Sequence, residues 1–298
     1  VNPVSVVVSW RHRTDPIGRC LDSLLSARRA GPLEIVIVGS LRDRSAADKY
    51  LGDGSGAEVR FVRGPRGMSD VTAWGLGLTA ARERHVAFTQ ARCTVCDDWP
   101  ARAAEPLPPG VGMAGGPVGL AEPAGVADRA AFLCDYGDFA DPPPQGPDTL
   151  AANNCVFDRR WLSRYHPGGP LHKTAVVAAA RAAGERFDWR PAMRVAMHPS
   201  APAWVQLAER GRRGADYARI RSAGWPTPVR WAAGAAAPLL TALLTWRLWR
   251  RSCRAPRERR PGPAELPAVA VWMLAWSLGE AAGYWSPRPA PATMPAGP

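Results

Sequence analysis

Residues 4–38 read VSVVVSWRHRTDPIGRCLDSLLSARRAGPLEIVIV. The two ends of this stretch, VSVVVS at 4–9 and LEIVIV at 33–38, are β-branched, near-continuous apolar runs. That pattern belongs to strands buried on both faces. Between them Ile17, Cys20, Leu21, Leu24 and Leu25 recur at spacings of three and four, the mark of a helix. Asp15-Pro16 offers this helix a cap and a first-turn proline, and Ala30-Gly31-Pro32 stops it. The pattern then repeats, with Val59–Val62 as a third strand, Val71–Arg82 as a helix and Val86–Thr89 as a fourth strand. Buried strands alternating with helices predict an α/β chain built on a doubly wound, mostly parallel sheet. The ligand crevice of such a sheet lies beyond the C-terminal ends of its strands.

Downstream the regularity drops. Pro106–Pro109 and Asp141–Pro147 read as loops, Val111–Val118 and Asn154–Phe157 as further strands, Thr174–Ala183 as a helix, and Phe187–His198 as extended chain closing a domain at 1–200. A basic linker is expected over 201–228, two membrane-embedded or interfacial helices over 229–285, and a disordered Pro-rich tail over 286–298. The whole chain, 298 residues with 46% hydrophobic and 21% charged residues, is long enough for a sizeable core and too apolar to be disordered.

The charge is placed unevenly. Of the net +12, most falls in residues 201–298, where fourteen Arg face only Glu209, Asp216, Glu258, Glu265 and Glu280. Arg247, Arg250, Arg251, Arg254, Arg257, Arg259 and Arg260 separate two apolar stretches, Trp231–Trp246 and Leu266–Trp285. Basic residues flanking apolar helices, with Trp225, Trp231, Trp246, Trp249, Trp272, Trp276 and Trp285 among them, suit an anionic membrane surface; a nucleic-acid binder would spread them over the folded domain. The first stretch is short for a span, roughly 24 Å of helix against about 30 Å of hydrocarbon. A spanning hairpin would also export the arginines, so a re-entrant or interfacial arrangement on the cytoplasmic face of the cell membrane is expected. No secretory signal is read at the start of the chain, and the six Cys lack the spacing of a disulfide scaffold. Cys93-x-x-Cys96 has no second pair to make a zinc ribbon, which leaves two free thiols. Gly75-Leu76-Gly77 lies inside a helical pattern and is no dinucleotide fingerprint.

The order VSVVVS, RCLDSLL, LEIVIV and RGPRGMSDVTAWGLGLTAARERHVAF resembles the nucleotide-binding half of family 2 glycosyltransferases of the GT-A, Rossmann-like fold. GGPVG, FLCDYGDF, NNCVFDRRWL and RAAGERFDWRPAMRVAMH are similar to that family's acceptor half, and a C-terminal pair of apolar helices is familiar among its bacterial members. The resemblance implies a nucleotide diphosphate sugar as donor, a lipid-linked or polysaccharide acceptor, and inversion by a single in-line displacement. It also implies a divalent metal, Mg or Mn, held by an Asp-x-Asp motif after the fourth strand, and a carboxylate base.

The sequence departs from that pattern where the chemistry falls. Gln90-Ala91-Arg92 stands in place of the acidic motif, Gly39-Ser40 in place of an Asp near the nucleobase, and PLHKTAVV where the base carboxylate is expected. Metal ligands are thus not found, and Asp97-Asp98 before Trp99 read as a helix cap. Arg92, with Arg63 and Arg66 of the RGPRG loop, is expected to grip the diphosphate in the metal's stead, guanidinium forks matching phosphate oxygens. Ser9, Gly39, Gly67 and Gln90 complete the expected donor site, Asn153 and Asn154 the acceptor side, and His172 is the candidate base. The alternative is a non-catalytic, glycosyltransferase-like binding or scaffold protein that has lost its metal and base residues.

Overall fold

The computed structural model describes residues 2–28, 31–40, 44–51, 57–140, 149–253 and 262–286. These divide into two compact units, one made of residues 2–121 and 149–200, the other of 122–140 and 201–286. The 1–200 boundary therefore needs one correction, because 122–140 belongs with the C-terminal helices.

In the first unit, strands β1 (Val4–Ser9), β2 (Leu33–Gly39), β3 (Ala57–Arg63) and β4 (His85–Gln90) run parallel, with helix α1 (Ile17–Ser26), the short α2 (Ser45–Asp48) and α3 (Asp70–Ala80) in the crossovers. They join β6 (Val111–Gly115), β8 (Cys155–Asp158) and β9 (Arg186–Trp189) in one sheet of order β3-β2-β1-β4-β8-β6-β9. β8 alone is antiparallel to its neighbours. The remaining strands β5 (Cys93–Val95), β7 (Val118–Leu120) and β10 (Val195–Met197) form a small sheet of order β5-β10-β7. α4 (Trp99–Ala103), α6 (Arg159–Leu162) and α7 (Lys173–Ala182) complete the unit.

Every residue of β1, β2 and β4 is buried, which is the physical meaning of their unalternated sequence. The core gathers Val7, Val36, Trp74, Phe88, Met113, Phe157 and Trp161, and Phe88 meets Trp74 and Phe157 edge-on at 6.3 and 5.6 Å. α3 lies unusually close to β1, since a Cβ added at Gly77 would stand 2.1 Å from Val7 Cγ1. Gly75-Leu76-Gly77 is thus helix interior, as its spacing predicts.

Local expectations fail in instructive ways. Pro16, not Asp15, takes the cap position of α1, and the Asp15 carboxylate instead accepts from His12 N (3.1 Å) and Ser200 Oγ (2.6 Å). Val111–Val118 breaks after Gly115 into β6 and β7, which belong to different sheets. Phe187–His198 likewise splits into β9 and β10 around a turn.

The second unit is helical. α5 (Val126–Ala140), α8 (Ala203–Arg221), α9 (Thr227–Ala236), a 3₁₀ turn (Ala237–Leu240), α10 (Thr241–Ser252) and α11 (Glu265–Trp285) compose it. Residues 201–228 are a correction to the linker reading, because they hold the 19 residues of α8. Small residues let α8 and α11 meet backbone to backbone, and a Cβ on Gly279 would lie 2.0 Å from Gly211 O. Beside that contact Arg210 is buried, donating to Trp272 O (2.8 Å) and pairing with Asp135.

The apolar run Trp231–Trp246 is not one helix, for Pro238 falls in the 3₁₀ turn that divides α9 from α10. At 10 and 12 residues, these helices are roughly 15 and 18 Å long, too short to cross about 30 Å of hydrocarbon. Among the described residues only α11 is long and apolar enough to cross a membrane, and 44% of its apolar window is buried within the protein. Beyond Ser286, the Pro-rich tail lies outside the described residues, as do Arg254, Arg257, Arg259 and Arg260.

Candidate functional site

The parallel ladder puts Ser9 and Gln90 side by side as register partners at the C-terminal edge of the sheet. Both are buried. Just beyond Gln90 the chain turns through Ala91 and Arg92 into β5, and this turn is pinned from three directions. Ala91 N donates to Ser9 O (2.9 Å), His198 N to Arg92 O (2.8 Å), and His198 Nε2 meets Thr94 Oγ1 at 3.1 Å. Arg92 Nε donates to Gln90 Oε1 at 3.2 Å, so the strand's last side chain holds the guanidinium.

A second arginine leaves the same edge. Arg11, two residues past Ser9, pairs with Asp70 (Nη1–Oδ2, 3.0 Å) and donates from Nε to Met68 O (3.2 Å). Asp70 stands in the first turn of α3, next to the capping Ser69, and its other oxygen accepts from Ser9 Oγ at 2.7 Å. Helix N-terminus, hydroxyl and guanidinium all complement its negative charge. The sequence reading missed Arg11 and Asp70, although a charged residue two positions past a buried strand and an acid opening the next helix were the available signal.

Because β8 runs antiparallel to β4, its beginning falls at this same edge. Asn153 sits there, fully buried, with Nδ2 at 3.5 Å from Gln90 Oε1 and 3.6 Å from Cys93 Sγ. Its Oδ1 has no hydrogen-bond partner among the described residues. Asn154 differs. Its Nδ2 donates to Pro117 O (2.8 Å) and Met193 O (2.7 Å), and its Oδ1 accepts from Trp99 Nε1 (2.8 Å). That side chain ties loops together, which corrects its reading as an acceptor contact.

His172 precedes α7 in a loop docked on α3, where Leu171 N donates to Val71 O (2.7 Å) and Gly169 lies against Gly75. That docking delivers His172 beside the first turn of α3, hence toward the end of the sheet that holds Asp70. The next residue, Lys173, was also missed, although it is one of only two lysines in the chain. Its ammonium donates to Thr149 Oγ1 (3.0 Å) and Leu150 O, at the head of the segment carrying Asn153, and burial pushes its pKa down to about 8.

The remaining expected donor residues lie farther along the edge. Gly39 O accepts from Gly64 N (2.8 Å), and Gly67, at φ +66°, closes the turn after β3 that bears Arg66. Arg63 ends β3, which stands three strands from β4, roughly 14 Å at ordinary strand spacing. Arg63 is therefore not a neighbour of Arg92, and the guanidinium that leaves the adjacent strand is Arg11.

The divalent ion implied by the resemblance does not fit the residues present. The turn after β4 offers a permanently charged guanidinium, Asp70 is engaged through both oxygens, and Asp98 is paired with Arg102 at 3.1 Å instead of capping α4 through its side chain. Among the described residues no group of three His, Cys, Asp or Glu side chains is placed to hold a metal. All six cysteines are free thiols, and burial pushes Cys93 up to about 11 and Cys96 in the same direction, which keeps this pair protonated.

No family model matches the sequence, and no curated protein matches it. Among solved structures the chain is similar to GalNAc-T7 with UDP, GalNAc and Mn2+, at TM-score 0.51 and 14% identity over 68% of this chain and 45% of that one. It is also similar to the mannosyltransferase PcManGT from Pyrobaculum calidifontis in complex with GDP-Man and Mn2+, at TM-score 0.48 and 20% identity, covering 94% and 73% of the two chains. The likeness to GalNAc-T7 and the strand order define a GT-A-like α/β fold.

Proposed function

We propose that this chain is a nucleotide-sugar-dependent, inverting glycosyltransferase that works on a membrane-associated or cell-envelope acceptor. The observation carrying the reading is the pinned guanidinium of Arg92, held by Gln90 at the C-terminal edge of a GT-A-like sheet. In such a sheet the donor diphosphate lies beyond the strand ends. As the bond to the sugar breaks, charge accumulates on the leaving diphosphate, and a preorganised guanidinium lowers the barrier by meeting it. His172 takes the proton of the acceptor hydroxyl, and attack from the opposite face inverts the anomeric centre. Gln90 and Ser9 hold the edge on which the donor rests, and Lys173 fixes the segment that brings Asn153 to it.

An anionic leaflet on the cytoplasmic side is the proposed site of attachment. α9, the 3₁₀ turn and α10 expose Val229, Trp231, Leu239, Leu240, Leu243 and Trp246, and α10 carries Arg247, Arg250 and Arg251 beside them. Helices too short to span, apolar on one side and basic nearby, suit the plane of the interface.

Calorimetric titration of the full chain with UDP, GDP and dTDP tests the donor reading, and saturable binding of at least one is expected. Absence of binding by all three, with and without Mg or Mn, would overturn it. That outcome would favour a non-catalytic binding module, a reading supported by one specific observation: the acid at this edge, Asp70, has both oxygens engaged and is poorly placed to act as a base.

A further inference from the structure

We infer that α11 lies in the plane of an anionic leaflet instead of crossing it, with one apolar stripe in the acyl boundary and α8 covering its opposite side in water. The inference rests on the attachment proposed above for α9 and α10, and extends it to the helix whose length and composition suit a span. The stripe consists of Pro267, Val271, Leu274, Leu278, Ala282 and Trp285, all exposed. At 3.6 residues per turn these six positions fall within an arc of about 80° and extend roughly 27 Å along the helix. Both acids of α11 lie off the stripe, and Glu280 is buried.

The side opposite the stripe belongs to α8, which runs parallel to α11. Arg210 Nε donates to Trp272 O (2.8 Å), a Cβ added at Gly214 would stand 2.4 Å from Trp276 O, and one added at Gly283 would stand 2.3 Å from Ala215 O. Arg212, Asp216 and Arg221 are exposed on α8. Were α11 to cross a bilayer, these charges would be carried to the depth of its middle turns, where charged side chains are costly. A helix with an apolar stripe on one side and a polar partner along the other is satisfied at the boundary of lipid and water. The 3₁₀ turn and its two flanking helices run antiparallel beside α11. Leu244 and Leu248 pack by Val269 and Met273, and Trp231 meets Trp285 with ring centroids 6.1 Å apart. Through Trp285 the stripe is therefore continuous with the exposed apolar face of α9 and α10. Arg247, Arg250 and Arg251 are exposed where that face ends, as attraction to acidic headgroups requires. A second copy of the chain would cover the stripe as a narrow seam and leave the face of α9 and α10 in water, whereas a leaflet covers both.

Electron paramagnetic resonance on the full chain tests the arrangement, with a nitroxide replacing Val271, Ala282, Arg212 or Asp216 and with vesicles of phosphatidylglycerol and phosphatidylcholine. Vesicles should raise oxygen collisions and lower collisions with a water-soluble nickel chelate at least threefold at positions 271 and 282, to equal depth, and leave 212 and 216 open to nickel. Along a spanning helix positions 271 and 282 would differ in depth by roughly 16 Å. Such a difference, or loss of nickel contact at 212 and 216, would overturn the in-plane arrangement. Labels at 271 and 282 that stay in water while the chain binds vesicles would overturn it too and leave attachment through α9 and α10 standing. Dipolar coupling between labels at 282 of two chains would assign the stripe to a second copy, against the inference. No vesicle binding at all would overturn the attachment reading and this inference together. Leu274→Glu with Leu278→Glu, both on the exposed stripe, should melt near the wild-type temperature and weaken vesicle binding at least tenfold.

Discussion

Asn154 offers two donors and an acceptor, and Pro117 O, Met193 O and Trp99 Nε1 take them all. Its neighbour Asn153, equally buried, keeps an oxygen with no partner among the described residues. Nothing local distinguishes the pair, because the carbonyls that saturate Asn154 come from positions 37 and 39 residues away. Replacing Asn154 with Ala orphans the buried Trp99 N–H and Met193 O, while Pro117 O keeps the bond from Val195 N (3.1 Å), and should lower unfolding stability by about 3 kcal/mol in urea denaturation. A loss no larger than that of an exposed Asn→Ala control would show that the ties are not formed in solution. His85, buried at the start of β4, has its pKa lowered by burial, with Asp158 opposing and Arg84 and Arg190 reinforcing the shift. His166 and His198 are shifted downward too, again chiefly by burial. For each, the unfolded chain binds the proton more readily, so stability is greatest above the ordinary histidine range and falls as pH drops below about 6.5. Melting temperature should decline between pH 7.5 and 5.5, and His85→Asn should flatten part of that decline; a flat wild-type profile would refute the assignment.

Among elements, α3 does most to join fold and site. It covers β1 through Gly77, starts with Asp70, and receives the 168–172 loop on Gly75, where an added Cβ would stand 2.1 Å from Gly169 O. Gly75→Ala must push that loop away. It should cost about 1–3 kcal/mol by overpacking and displace His172, reducing any transfer activity more than nucleotide affinity. Equal losses in both would separate the loop from the acceptor side. The elements that were legible, β1, β2, β4 and α1, are those whose apolar pattern is unmixed, even though β4 pairs with strands as distant in sequence as β1 and β8. The breaks that were not legible, at Gly116-Pro117 and within 190–194, are set by pairing of β7 and β10 with each other, a partnership that no local pattern announces. For the same reason the site was legible along the strands but not across them. Strand order moves Arg63 away from Arg92 and makes β1, which Arg11 follows, the neighbour of β4.

At the scale of the molecule, apolar helices paired with a basic excess made a membrane surface the natural expectation, and Pro238 decides its form by dividing the first stretch. Leu239 is 81% exposed and Trp231 59%. The full chain should sediment with vesicles containing phosphatidylglycerol and remain free with phosphatidylcholine alone, with each nearby Arg contributing about 1 kcal/mol. Leu239→Glu together with Trp231→Ala should weaken this at least tenfold, and sedimentation indifferent to lipid charge would contradict the interfacial reading.

The placement of α5 has a further consequence. Residues 122–140 leave the sheet unit in mid-sequence and contribute Ala130 to a core completed by Val269 and Met273 of α11, with Leu244 and Leu248 of α10 beside it. The helical unit is therefore assembled from two separate tracts of the gene, and no single splice point can add it, exchange it or remove it. A chain ended after Ser200 would still carry α5, stripped of the helices that cover Ala130, and should come out of expression as aggregate. Recombination between relatives would have to exchange both tracts together, so the helical unit should be inherited with its own α5 rather than traded as a detachable tail.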